Sequence, residues 1–406
     1  MGQYFDDLET RSEDERAAAL ARDLPHVIAR ALGAPGLAAH LGAVDASEVT
    51  SREALAKLPV LRKSDLGAAQ KGASPFGGMT TKPAHAFAHI FQSPGPIYEP
   101  GDVSHDWWRM GRFLHACGVG AGDIVQNCFG YHLTPAGMIF ESGARAVGAA
   151  VLPAGTGQTE LQVRAAVDIG TTAYSGTPDY LKVILDKAEE MGERLSITRA
   201  AVGGGALFPS LRAEYADRGI QCLQCYATAD LGNIAYESPA MEGMILDEGV
   251  IVEIVRPGTG DPVAVGEVGE VVVTSLNPDY PLVRFATGDL SAMMPGVSPC
   301  GRTNARIKGW MGRADQTTKI KGMFVRPEQV AAFVAAHPEV AKARVIATRE
   351  GEMDAMTIQV ETEATEADRF ASGVVAALKL KGKIELVAPG ALPNDGLVIE
   401  DRRKYD

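Results

Sequence analysis

The sequence predicts an α/β protein: a large N-terminal domain with mostly parallel sheets plus an antiparallel β subdomain, then a small C-terminal α/β domain. Three observations lead there. Between Trp107 and Ser238, short apolar runs alternate with stretches of helical spacing, as in a parallel sheet covered by helices on both faces. Residues 248–276 switch to alternating β-branched and polar residues around Pro257-Gly258-Thr259-Gly260-Asp261, the pattern of an antiparallel hairpin. Beyond Asp315, strand and helix patterns repeat on a smaller scale, so the expected domains are 1–314 and 315–406.

In chain order, residues 4–32 carry apolar side chains at helical spacing, with Pro25 as an expected break. LPVLRKSDL (58–66) reads as a turn and a helix capped at Ser64, and the Gly/Thr/Pro-rich 72–83 as loop. An apolar run at 87–91 leads into Ser93-Pro94-Gly95-Pro96, and DWWRMGRFLHACG (106–118) reads as a helix ending at Gly118. Strand, loop and helix then alternate through GDIVQNCFGY (122–131), FESGARAVGAAVLPAG (140–155) and TTAYSGTPDYLKVILDKAEEMG (171–192). AAVGGGALFPSLR (200–212) is a strand, a glycine turn and a helix, and 220–226 is a buried strand opening into a loop. In the C-terminal part, KIELVAPGAL (383–392) is the last expected strand.

Composition narrows the function classes. Of 406 residues, 46% are hydrophobic and 22% charged, as in ordinary globular chains, and the length allows two or three domains. A net charge of -12 leaves no basic face for nucleic acid or an anionic membrane. No stretch reaches membrane-spanning length, and the acidic N terminus is unlike a signal peptide, so the expected location is cytoplasmic. The five cysteines are sparse and odd in number, which fits a reducing compartment. Cys222 and Cys225 form a CxxC, but residues three apart on a strand point to opposite faces, so buried structural thiols are expected.

The chemistry-bearing stretch is QCYATADLGNIAYES (224–238). Tyr226, Thr228 and Asp230 put a ring, a hydroxyl and a carboxylate within five residues, flanked by the small Ala227, Ala229 and Gly232. A ring can stack on a base, a hydroxyl can bond phosphate, and a carboxylate can hold Mg²⁺. The alternative is a strand end with an Asp cap on a following helix. Gly203, Gly204 and Gly205, followed by Ala206, allow close approach of a flat ligand or merely a tight turn. Asp289, in FATGDL, has two acceptor oxygens that match a cis-diol. Arg302, Arg306 and Arg313 supply guanidinium forks suited to sugar or phosphate oxygens. Tyr131 and His132 follow a strand's carboxyl end, where such sheets bind ligands, and could wall an acyl pocket.

In this order, YATAD, TGD and GRADQTTKIKG (312–322) resemble the motifs of the adenylate-forming superfamily of acyl-CoA ligases, with its phenylacetate-CoA ligase branch as the nearest pattern. The resemblance runs from about Phe91 to the C terminus. It implies ATP-dependent activation of a small aromatic carboxylic acid through an acyl-adenylate, with Mg²⁺ as cofactor and coenzyme A as acceptor; a carrier protein is an alternative acceptor. It implies that Tyr226, Ala227 and Gly203–Ala206 hold adenine, Thr228 touches phosphate, Asp230 holds Mg²⁺ where the family has Glu, and Asp289 and Arg313 hold ribose. Gly204 would also border the acid, and Asp315 would be the hinge of a mobile C-terminal domain. The expected partners are thus small molecules, and a homodimer is compatible with all of this.

Two departures stand out. The family's phosphate loop is rich in Ser, Thr and Gly and ends in Lys. Here Ser93 and Gly95 sit among Pro94 and Pro96, which lack N–H donors, and no Lys follows. The family's C-terminal Lys aligns with Leu397, which carries no charge; Lys404 is either a substitute, if the alignment shifts, or a solvated tail lysine. A nucleotide- or acyl-CoA-binding homologue with lost adenylation is the reading these departures motivate.

Overall fold

The computed structural model describes residues 2–314, 316–320, 323–350 and 353–403. Asp315, the expected hinge, and Lys404 lie outside them. By compactness the chain divides into two units: Met1–Val252, Val273–Phe285 and Met294–Gly309 form the first, and Glu253–Val272, Ala286–Met293 and Trp310–Asp406 the second.

The first unit opens with α1 (Glu13–Leu32), α2 (Pro35–Leu41), α3 (Arg52–Leu55), the two-residue strand β1 (Leu61–Arg62) and α4 (Lys63–Gly72). Ser12 and Glu15 form a reciprocal capping box on α1, which runs unbroken through Pro25, against the expected break. Nor does Ser64 cap α4: the helix begins at Lys63, with Arg62 at its N-cap and no side-chain cap bond. Next come β2 (His89–Ser93) and β3 (Ile97–Gly101), paired as a tight antiparallel hairpin with Ser93 opposite Ile97. The helix expected over 106–118 is shorter, α5 (Gly111–Ala116), because Asp106 and Arg109 take positive φ ahead of it.

The α/β alternation follows: β4 (Ile124–Asn127), α6 (Ala136–Ala146), β5 (Ala150–Leu152), α7 (Thr159–Ile169), β6 (Ala173–Gly176), α8 (Pro178–Glu190), β7 (Arg199–Val202), α9 (Pro209–Asp217), β8 (Gln221–Thr228), β9 (Gly232–Tyr236) and β10 (Met244–Leu246). The division between units passes through β11 (Val250–Val255), β12 (Gly269–Ser275), β13 (Phe285–Ser291) and β14 (Met293–Met294); β15 (Arg306–Ile307) returns to the first. The sheet runs β14-β15-β10-β9-β8-β7-β6-β4-β5, parallel from β8 to β5 and antiparallel from β8 to β15. Successive residues serve opposite faces. Val125, Ala173, Ala201, Leu223 and Cys225 pack in one core cluster, while Tyr174, Ala200, Val202 and Cys222 pack in another. Cys222 and Cys225 thus diverge as expected, and burial pushes both thiols above their ordinary range.

In the second unit, β16 (Thr318–Ile320) and β17 (Met323–Val325) pair antiparallel, and α10 (Pro327–Ala335), β18 (Val340–Glu350), β19 (Met353–Thr362), α11 (Ala371–Leu378), β20 (Lys383–Val387) and β21 (Ile399–Asp401) follow. The sheet order is β20-β19-β18-β21, over a core that includes Val345, Ile358, Phe333, Phe370 and Leu378. The last strand is β21, parallel to β18, and not the expected β20; three residues are too short for periodicity to reveal. No helix among the described residues is long and apolar enough to cross a membrane.

Candidate functional site

The YATAD stretch makes a hairpin, not the strand-to-helix turn that an Asp cap would need. β8 ends at Thr228, turns through 229–231 and returns as β9, with the register slipping between Tyr226 and Ala227. Gly232 takes φ +72, and a Cβ there would stand 2.7 Å from the Trp108 carbonyl, so only glycine suits this return. The turn is clamped from outside. Asn233 N donates to Trp108 O at 3.0 Å, Asn233 Nδ2 donates to Arg109 O at 3.2 Å, and the Arg109 guanidinium donates to the Leu231 carbonyl. Thr228 Oγ1 closes the turn by accepting from Leu231 N at 3.2 Å. Tyr226 is buried, whereas Ala227 and Thr228 are half-buried.

Asp230 points inward, with its side chain fully buried, and Lys63 reaches its Oδ2 at 2.5 Å. Lys63 opens α4, and the same helix grips the β2–β3 hairpin: Gln70 donates to Tyr98 O at 2.8 Å and accepts from Tyr98 N at 2.9 Å. Glu99, on β3, is 0% exposed, and its Oε1 accepts a short hydrogen bond from Ser93 Oγ. Burial, with the Asp230 charge adding to it, pushes the Glu99 carboxyl up to about 7; Ser93 and Lys63 oppose the shift. Ser93 therefore spends its hydroxyl inside the hairpin, while Pro94, Gly95 and Pro96 form an exposed tip. The other oxygens, Asp230 Oδ1 and Glu99 Oε2, are buried without a hydrogen-bond partner among the described residues.

The remaining first-unit candidates line the carboxyl ends of the parallel strands. Gly203 continues β7 beside β8, where a Cβ would come 3.0 Å from Cys225 Sγ. Gly204, Gly205 and Ala206 are exposed, with Gly204 at φ +69, so they form an open shelf next to the strand that carries Tyr226. After β4, Asn127 Nδ2 donates to Tyr131 Oη at 2.7 Å and to Gly137 O at 2.8 Å. That half-buried phenol is pushed above its ordinary range, by burial first. His132 is exposed. Leu133 O accepts from Gln92 N at 2.9 Å, which ties the loop to the β2–β3 hairpin.

In the second unit, Asp289 and Arg313 form an antiparallel bridge. Arg313 Nη1 donates to Asp289 Oδ1 at 2.7 Å, and Trp310 Nε1 donates to the same oxygen at 3.1 Å. Arg313 is 56% exposed. Gly288 has φ +75, and a Cβ there would meet Arg313 Nη2 at 2.8 Å. Arg302 and Arg306, which belong to the first unit, are not ligand forks. Both are buried, the first against Glu9 and the second on the carbonyls of Glu242 and Pro295. Leu397 is exposed in the 388–398 loop. Arg344 is buried, donates to the Leu397 carbonyl at 3.0 Å and pairs with Asp395 at 2.5 Å.

Three residues escaped motif reasoning: Lys63 and Glu99 in the first unit, and Trp310 in the second. Only the Glu-Pro of β3 and the Trp beside GRAD gave any local sign. Among the described residues, no group of three or more His, Cys, Asp or Glu stands together as a metal site. Mg²⁺ needs fewer, being commonly held by one or two carboxylates and substrate phosphates. The unpartnered Asp230 Oδ1 is a donor of that kind.

No family model matches the chain. A phenylacetate-coenzyme A ligase of Pseudomonas putida is 30% identical over 337 residues, 78% of this chain and 74% of that protein. One from Thermus thermophilus is 29% identical over 335 residues, with the same shares. A 2-hydroxyisobutyryl-CoA ligase, crystallised in an open conformation with 2-HIB-AMP and CoA, shares the fold with a TM-score of 0.73 at 22% identity, across 97% of this chain and 92% of that one.

Proposed function

Because the chain belongs to the phenylacetate-CoA ligase family of adenylate-forming enzymes, we propose that it couples ATP to the ligation of an aryl-acetic or similar small aromatic acid to coenzyme A, through an acyl-adenylate. The observation that supports this most is the 229–231 turn that follows β8, which holds the buried Asp230, together with the exposed Gly204–Ala206 shelf next to the strand that carries Tyr226. Tyr226 and the shelf take adenine. Thr228 turns its hydroxyl proton to a phosphate oxygen while its lone pair closes the turn. Asp289, with Arg313, takes the ribose diol. Tyr131, held by Asn127, and the exposed His132 flank the acid. Mg²⁺ bound at Asp230 would offset phosphate charge as the carboxylate attacks.

The test is CoA-dependent AMP release from ATP across a panel of carboxylic acids. Turnover with aryl-acetic acids is expected. AMP release that is indifferent to CoA would favour a carrier protein as acceptor, and no release with any acid would overturn the proposal.

A second reading, in which adenylation is weak or lost, is favoured by the inward-turned Ser93, the two prolines of the hairpin tip and the uncharged Leu397. A supplied acyl-adenylate plus CoA separates it from the first.

A further inference from the structure

We propose that Glu99 joins Asp230 as the second carboxylate of a divalent-cation site, with the Tyr280 hydroxyl as a neutral oxygen beside them. This deepens the reading of the chain as an ATP-using ligase, and rests on it for the cation's purpose but not for its binding.

Three oxygens carry the inference. Glu99 is 0% exposed, Asp230 4% and Tyr280 2%, yet Glu99 Oε2, Asp230 Oδ1 and Tyr280 Oη each lack a hydrogen-bond partner among the described residues. Buried polar atoms are nearly always satisfied, so three orphans call for a common explanation. They share one neighbourhood, since both carboxylates act electrostatically on the Tyr280 phenol and Asp230 acts on Glu99. The opposite oxygens are already committed: Glu99 Oε1 to Ser93, and Asp230 Oδ2 to Lys63. The unpartnered atoms are therefore distinct from the committed ones, and all three are hard oxygen donors. Two buried carboxylates share one ammonium, so an ionised Glu99 is costly there without a counter-ion. A hard divalent cation on one or two carboxylates, completed by water or phosphate oxygens, meets both needs.

Its geometry would also replace what the hairpin lacks. The tip offers two prolines and no lysine, and a cation on Glu99 would put positive charge midway along that same hairpin.

The probe is Mn²⁺ titrated into the full-length protein without nucleotide or acid, read by the loss of the free-ion electron paramagnetic resonance signal and by thermal melting. One equivalent is expected to bind and raise the melting temperature. Glu99→Gln and Asp230→Asn should each weaken binding at least tenfold, and Tyr280→Phe a few-fold. Lys63→Met should tighten it several-fold, because the competing ammonium is gone. Absence of a stoichiometric site, or equal affinity in all four variants, overturns the proposal. Should Glu99→Gln or Asp230→Asn fail to fold, unchanged affinity in both Tyr280→Phe and Lys63→Met overturns it equally. A site that binds Mn²⁺ as expected in a protein that releases no AMP with any acid would leave the cation site standing and remove only the ligase reading.

Discussion

Lys63 and Asp230 meet across 167 residues of sequence, with Nζ 2.5 Å from Oδ2. The pair joins the first turn of α4 to the turn between β8 and β9, and its two ends differ in exposure: a third of the Lys63 side chain is open, and none of Asp230. Removing one partner of a fully buried pair typically costs about 3–5 kcal/mol. With Lys63 partly solvated, Lys63→Met is expected to cost roughly 2 kcal/mol. Adding Asp230→Asn should return most of that loss, because no charge is then stranded. Chemical denaturation of the two single variants and the double variant checks this; additive losses would contradict it.

Asp289 carries the second prediction. A charge-assisted hydrogen bond to a sugar hydroxyl is worth about 1.5–3 kcal/mol, so Asp289→Ala should weaken ATP binding by roughly tenfold or more. Gly288→Ala should act in the same direction through Arg313, since the new methyl would stand 2.8 Å from Nη2. Calorimetric titration with ATP reads both, and an unchanged affinity in folded Asp289→Ala would remove the ribose assignment.

Leu397 carries the third. Loss of a donor at a site of developing charge costs about 10²–10³ in rate. Adenylation from ATP is therefore expected to be slow, and conversion of a supplied acyl-adenylate plus CoA near normal. Leu397→Lys should raise the first rate and leave the second alone. Adenylation by the unmodified chain at an ordinary rate of about 10 s⁻¹ would show that another cation has replaced the lysine.

Asp106 sets a pH dependence. Its carboxylate caps α5, accepting from Met110 N at 2.8 Å and Gly111 N at 3.0 Å, yet burial, with the Asp247 charge adding, pushes its pKa up to about 6. A raised carboxyl pKa means that the folded state holds the proton longer than the unfolded state does. Stability should accordingly fall as pH rises from about 4 through about 6 and level off above, by on the order of 2–3 kcal/mol for this group. Asp106→Asn, which keeps the capping oxygen, should flatten that part of the profile. Denaturation midpoints between pH 4 and 7 decide it, and parallel slopes in both proteins would refute it.

Much of this protein was legible in the chain itself. The alternation of apolar runs and helical spacing set the parallel sheet, because side-chain period is a local property of strand and helix. The order of YATAD, TGD and GRAD pointed to acid activation, and the position of Cys222 and Cys225 on one strand to separate faces. The tertiary structure decided the rest. That the chain after Asp230 returns as a strand depends on Trp108 and Arg109, more than a hundred residues upstream, holding the turn from outside. That α1 runs on through Pro25, and that α4 starts at Lys63 so that Ser64 caps nothing, left no local mark in the sequence. That Ser93 faces Glu99, that Lys63 neutralises Asp230, and that Trp310 joins Arg313 on Asp289 could not be read from spacing. A buried charge takes whichever counter-group the fold carries to it, and that choice is set by long-range packing and desolvation, neither of which leaves a periodic mark in the sequence.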